Sequence, residues 1–145
     1  MVDPVESDGD RLHIHELVNL HGHLMDEGDF ERLGELFVDD VVYDVSAFGG
    51  GRLTGPRAVA DAGRALGDRN PLAHHVTNIV VVELDGDRAR VRSKGLAVMT
   101  GGGTGSVVYD DELRRTPGGW RIAVRRVLPR RSPLAPSGVA TEAPG

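Results

Sequence analysis

The apolar positions of this chain change their period near residue 73. Before it they recur at helical spacing, and after it they alternate. Ile14, Leu17, Val18, His21, Leu24 and Met25 form a stripe with intervals of 3, 1, 3, 3 and 1. That spacing predicts an amphipathic helix from Leu12 onwards with His21 inside its apolar face. Gly28 is placed to end it, and Asp29 to cap a second short helix through Phe37 that turns Leu33, Leu36 and Phe37 inward. A short strand is expected over Val41 to Val45, then a glycine-rich loop from Phe48 to Gly51 and a brief paired segment at Arg52 to Thr54. Pro56 suits the first turn of a third helix, whose Val59, Ala62, Gly63 and Leu66 share one side.

From Ala73 to Met99 two β runs are joined by Asp85-Gly86-Asp87, a sequence that favours a tight hairpin turn. In the second run Arg88, Arg90, Arg92 and Lys94 share one face, while Ala89, Val91, Ser93, Gly95, Ala97 and Met99 share the other. The sheet therefore has a wet side and a covered side. A third long strand, Ser106 to Arg115, puts Val107, Tyr109, Asp111 and Leu113 on one face. A fourth sets Trp120, Ile122, Val124, Arg126 and Leu128 against Arg121, Ala123, Arg125 and Val127, which places Arg126 at a pocket rim. Helices grouped ahead of antiparallel strands indicate an α+β fold. The expected form is a cone-shaped barrel, a curved antiparallel sheet whose N-terminal helices close a pocket at the mouth.

A chain of 145 residues is one domain on size. Its expected parts are a flexible leader at 1–9, a folded domain at 10–128, and a proline-containing flexible tail at 129–145. The absence of cysteine removes thiolate chemistry and Cys-ligated zinc. No apolar run is long enough for a membrane span and the first residues are acidic, so a cytoplasmic protein without membrane contact is expected. The net charge of −5 disfavours a nonspecific nucleic-acid binder. Neither His21-x-His23 on a helix nor His74-His75 on a strand points both rings to one side, so no metal is expected. Gly101 to Gly105 lacks the lysine and hydroxyl residue of a phosphate loop, and no nucleotide or other cofactor is expected.

Acid/base chemistry is what the remaining residues offer. His74 and His75 open the first long strand. Strict alternation groups His75 with Thr77, Ile79 and Val81, and His74 with Val76, Asn78, Val80 and Val82. Both faces continue apolar, so the pattern does not say which imidazole points inward. Such a ring acts as acid or base when a carboxylate orients it. Asp26, in the last turn of the first helix, lies off the apolar stripe. Tyr109 and His21 are hydrogen-bond donors placed to face the interior, and Met25 stands beside Asp26 near the pocket rim.

In order along the chain stand Leu17 to Asp40, Gly51-Arg-Leu-Thr-Gly-Pro56, His74-His-Val-Thr-Asn78, Glu83-Leu-Asp-Gly-Asp-Arg-Ala89 and Gly118-Gly-Trp-Arg-Ile122. Together these segments resemble the SnoaL-like branch of the nuclear transport factor 2-like superfamily. The resemblance implies a cone-shaped barrel with a deep apolar pocket, commonly a homodimer through the sheet. In members similar to scytalone dehydratase and bile-acid dehydratase, an aspartate of an Asp-x-x-Asp-Trp/Phe motif pairs with a histidine at the start of a long strand. Asp26-Glu-Gly-Asp29-Phe30 matches the first element, and His75-Val-Thr-Asn78 the second, which makes Asp26 and His75 the expected catalytic pair. The bile-acid enzymes would place a tyrosine where this chain has His21, and the scytalone enzymes one where it has Met25. The expected function is a cofactor-independent lyase or isomerase, a dehydratase or cyclase acting on a hydrophobic carbonyl-bearing small molecule such as a polyketide-like metabolite. A non-catalytic binding or assembly domain and an epoxide hydrolase-like enzyme are the alternatives.

Overall fold

Four long strands carry most of the structure, and register shifts in two of them, two in the strand over 73–85 and one in the strand over 119–129, decide which side chains face the interior. The structure, a computed structural model, describes the backbone of residues 4–136 and the side chains of residues 7–136. In chain order it has α1 (Pro4–Glu27), a 3-10 segment (Phe30–Glu35), β1 (Phe37–Asp44), β2 (Arg52–Thr54) and α2 (Pro56–Leu66). There follow β3 (Ala73–Asp85), β4 (Arg88–Val98), β5 (Thr104–Thr116) and β6 (Gly119–Pro129).

The helical stripe is buried as its spacing requires, with Ile14, Val18, His21 and Leu24 all at 1% exposure or less. Helix α1 begins at Pro4, so residues 4–9, read above as a leader, are its first turns. It ends where expected. Gly28 takes a φ of 66°, and its N–H donates to the Met25 carbonyl while that of Asp29 donates to Leu24, closing the last turn. The segment after Asp29 is a 3-10 turn rather than a full helix, and Phe37 already belongs to β1. Residues 1–3 of the expected leader and 137–145 of the expected tail lie outside the described residues.

The six strands form one sheet in the order β2-β1-β6-β5-β4-β3. The expectation of an antiparallel cone closed into a barrel does not hold. β1 runs parallel to β6, and the two edges, β2 and β3, pair with no further strand among the described residues. β2 has only three residues, too short an edge to receive the long β3 and close the ring. The fold is therefore an open mixed sheet with α1 and α2 against one face. Beneath the helices the space is taken up by packed side chains, including Phe37, Val91, Leu113, Trp120 and Ile122.

The covered face of β4 is the one predicted: Ala89, Val91, Ser93 and Gly95 are buried. On β3 the alternation is broken. Thr77 stands opposite Lys94 and Val80 opposite Arg92, so Asn78 and Ile79 together face the single residue Ser93. Asn78 supplies this bulge with a φ of 54°, a backbone region that asparagine tolerates better than most side chains. One inserted residue reverses the pleat, so His74 and Val76 share the inner face with Ile79 and Val81. The same happens on β6. Ile122 pairs with Leu113 and Val124 with Glu112, leaving Ala123 as the extra residue. Arg125 and Val127 thereby join Trp120 and Ile122 inside, and Arg126 turns out.

Replacing Asn78 by valine should cost about 1–3 kcal/mol, because a β-branched side chain is strained at that φ. Replacement by glycine should leave stability nearly unchanged. Urea midpoints of the two variants check the difference.

Candidate functional site

The site begins with a glycine. Helix α1 crosses β3 so closely at Gly22 that a Cβ there would lie 2.5 Å from the His74 carbonyl oxygen. One turn later on the same edge of the helix, Asp26 reaches the start of β3. Its carboxylate accepts the His74 backbone N–H at 2.9 and 3.0 Å from its two oxygens. It also lies 2.6 Å from His74 Nδ1. A carboxylate has no proton to give and can only accept from the ring, so opposite it Nδ1 is the donor and, in the neutral imidazole, Nε2 carries the lone pair. The two side chains keep 21% and 22% exposure, enough for a small molecule to reach them. They open on a groove of about 420 Å³ lined also by Asn19, His23, His75 and Thr77.

Behind His74 the interior is polar. The buried His21 ring lies 6.0 Å from His74, 6.3 Å from Tyr43 and 5.7 Å from Tyr109, centroid to centroid. Its Nε2 is 3.4 Å from the Tyr43 hydroxyl. Burial holds the His21 imidazole well below its ordinary pKa, and the charges of Arg125 and His74 add to the effect. Deeper still, Arg125 grips Asp111 with two hydrogen bonds of 2.8 Å. Both side chains are fully buried. The Arg125 guanidinium lies 4.1 Å over the Tyr109 ring. Tyr109 in turn lies across Gly95, where a Cβ would come within 2.6 Å of its ring. Burial pushes the hydroxyls of both Tyr43 and Tyr109 above the usual phenol range, so they stay neutral donors.

The expected pairing of Asp26 with His75 is thus corrected to Asp26 with His74. His75 is exposed on the opposite face of β3, across from Leu96, because the bulge at Asn78 reverses the alternation that grouped it with Ile79 and Val81. Arg126 is corrected likewise. It lies on the outer face of the sheet, bonded to Glu112 at 3.0 Å, and the residue that turns inward is Arg125. Met25 is half-buried against the core next to Asp26, while His21, Tyr109 and Asp111 lie inward as read from the sequence. Tyr43 and Arg125 were not anticipated. Asn78 inside a run of β-branched residues was the available signal for the first bulge, and nothing comparable marks Ala123. Among the described residues no three metal-ligating side chains converge on a common point.

A family model described as a SnoaL-like domain matches residues 9–126. The chain belongs to the SnoaL-like domain family. It is similar to the uncharacterized protein Rv2910c of Mycobacterium tuberculosis, with 34% identity over 81% of this chain and 83% of that protein. Among solved structures it resembles Rv3472 of Mycobacterium tuberculosis, a protein of unknown function, with a TM-score of 0.76, 26% identity and coverage of 90% of this chain and 78% of that one. It also resembles an NTF2-like protein with a cystatin-like fold from Novosphingobium aromaticivorans, with a TM-score of 0.71, 33% identity and coverage of 85% and 83%. Among the described residues no helix is long and apolar enough to cross a membrane.

Two outcomes follow from this geometry. Gly22→Ala should lower stability by about 1–3 kcal/mol through overpacking against the His74 carbonyl. It should also shift the His74 amide upfield in the proton spectrum as the bond to Asp26 lengthens. The second concerns pH. His21 stays neutral in the folded chain but takes up a proton near pH 6.5 when unfolded, so stability is lost as pH falls through that value. The wild-type chain should lose about 1.4 kcal/mol between pH 7.5 and 5.5 from this group alone, and His21→Leu should remove that part of the loss in urea titrations.

Proposed function

We propose that this SnoaL-like domain is a cofactor-independent lyase or isomerase, acting on a hydrophobic carbonyl-bearing small molecule through the His74–Asp26 pair. The observation that carries the reading is the fixed imidazole, with its ring proton committed to a carboxylate 2.6 Å away. His74 Nε2 has no hydrogen-bond partner among the described residues and is the basic nitrogen of the pair. It takes the proton α to the substrate carbonyl. Asp26 holds the ring in place and stabilises the imidazolium that forms. The protonated Nε2 then returns its proton to a leaving hydroxyl, which gives dehydration, or to another carbon, which gives isomerisation or ring closure. His21 and Tyr109, both neutral at neutral pH, are buried behind His74 and off the lining of its groove, so they donate to the developing enolate oxygen only where the substrate carbonyl inserts past the His74 ring. A donor so placed contributes about 3 kcal/mol to the transition state.

His75 borders the same groove from the other face of β3 but has no bond to Asp26, so it serves as the comparison for the loss of an imidazole outside the pair. The test is turnover on a panel of cyclic β-hydroxy ketones, followed by the absorbance of the conjugated product. His74→Ala should lower kcat/KM by about 10²–10⁴-fold, the range of a lost general base. Asp26→Asn should lower it at least tenfold, and His75→Ala, which trims the groove but leaves the pair in place, should cost less than either. Undiminished turnover in the first two variants contradicts the assignment.

A further inference from the structure

In the mechanism above His74 takes a proton from carbon and gives it back to oxygen. Its ring is held by Asp26, so Nε2 meets a bound substrate from one face only. One ring therefore serves a substrate whose α-hydrogen and hydroxyl lie on the same face. A hydroxyl on the opposite face needs a second acid. The groove beside His74 has two walls from different elements: Asn19, Gly22, His23 and Asp26 of α1, and residues 74–77 of β3. At 3.6 residues per turn the four helix positions follow one another round α1 in the order Gly22, Asp26, Asn19, His23, over about 100°. Gly22 is pressed against the His74 carbonyl, so His23 stands at the far end of that arc, on the outer lip of the helical wall.

His23 is exposed, and among the described residues its ring forms no hydrogen bond or ion pair. It is thus free to meet a ligand, and an imidazole gives or takes protons near neutral pH. His75, the third imidazole of the groove, belongs to the same wall as His74. We infer that His23 is a second catalytic residue, the general acid for a hydroxyl that leaves from the substrate face turned away from His74. The inference rests on the His74–Asp26 reading and extends its substrates to cyclic β-hydroxy ketones that lose water across opposite faces. His74 Nε2 takes the α-hydrogen, and the C–H electron pair passes into the enolate. As the enolate collapses to the conjugated ketone, the C–O bond breaks and its electron pair stays on oxygen. The protonated His23 ring gives that oxygen a proton, and water leaves. His74 ends protonated and His23 neutral, and because both reach solvent, exchange with water restores them.

The experiment compares initial rates of the full chain on the two diastereomers of a 2-alkyl-3-hydroxycyclohexanone. The hydrogen at C2 lies on the hydroxyl's face in one and on the opposite face in the other. The wild-type chain should turn over both. His23→Gln should lower kcat/KM about tenfold or more for the opposite-face diastereomer and less than about threefold for the same-face one. With acetate in place of the hydroxyl, a leaving group that needs no proton, the opposite-face loss should shrink to less than about threefold. His75→Gln should lower both diastereomers by the same factor. Equal losses on both diastereomers in His23→Gln, or wild-type turnover of the same-face diastereomer alone, overturn the role of His23 and leave the His74–Asp26 pair standing. A loss that persists with acetate makes His23 a binding residue and overturns its role as acid. Undiminished turnover of both diastereomers in His74→Ala contradicts the pair itself, and the role of His23 falls with it.

Discussion

One carboxylate ties the two layers of this protein together where it matters for chemistry. β3 is an edge strand, and among the described residues its outward amides have no neighbouring strand to bond. Asp26 satisfies the one at His74 and bonds the ring of the same residue, so backbone position and imidazole orientation are set by a single group. The contact exists only because Gly22 lets α1 approach to a distance that any larger residue would prevent. A hydrogen bond to a charged group contributes about 1.5–3 kcal/mol. A comparable loss of strain-free packing at Gly22 would undo it.

The interior beyond this contact is arranged around charge that stays buried. Arg125 and Asp111 sit opposite each other on neighbouring strands, and Tyr43 of β1 is in register with Arg125. Such pairs seldom raise stability over well-packed apolar residues, because two ions must leave water. This one has a local effect that an apolar pair would lack: the Arg125 charge helps keep His21 neutral. Three buried polar atoms, His21 Nδ1, Ser93 Oγ and Arg125 Nη1, have no hydrogen-bond partner among the described residues. They belong to residues that border Tyr109, on α1, β4 and β6.

Much of this was legible in the residues. The stripe from Ile14 to Met25, the glycine at its end, the hairpin at Asp85 to Asp87 and the covered face of β4 all follow from periodicity and turn chemistry. The aspartate of the site was found through the family motif, since its angle on the helix argues against it. The errors share one physical origin. A strand read by strict alternation carries its faces forward indefinitely, and a single bulge inverts every residue beyond it. Asn78 exchanged His75 for His74, and Ala123 exchanged Arg126 for Arg125. The closed barrel failed for a different reason, because closure depends on which edges meet, and no local pattern encodes that. Here the edges are the three-residue β2 and the long β3, and they do not pair.

The central claim is that Asp26 fixes the His74 ring with its proton on Nδ1 and its lone pair on Nε2. Nitrogen-15 chemical shifts of the His74 ring, recorded on the neutral imidazole of the full chain, report this directly. The account predicts a single Nδ1–H tautomer in the wild-type chain and a mixture of tautomers in Asp26→Asn. An Nε2–H tautomer in the wild-type chain, or spectra indifferent to the substitution, would contradict it.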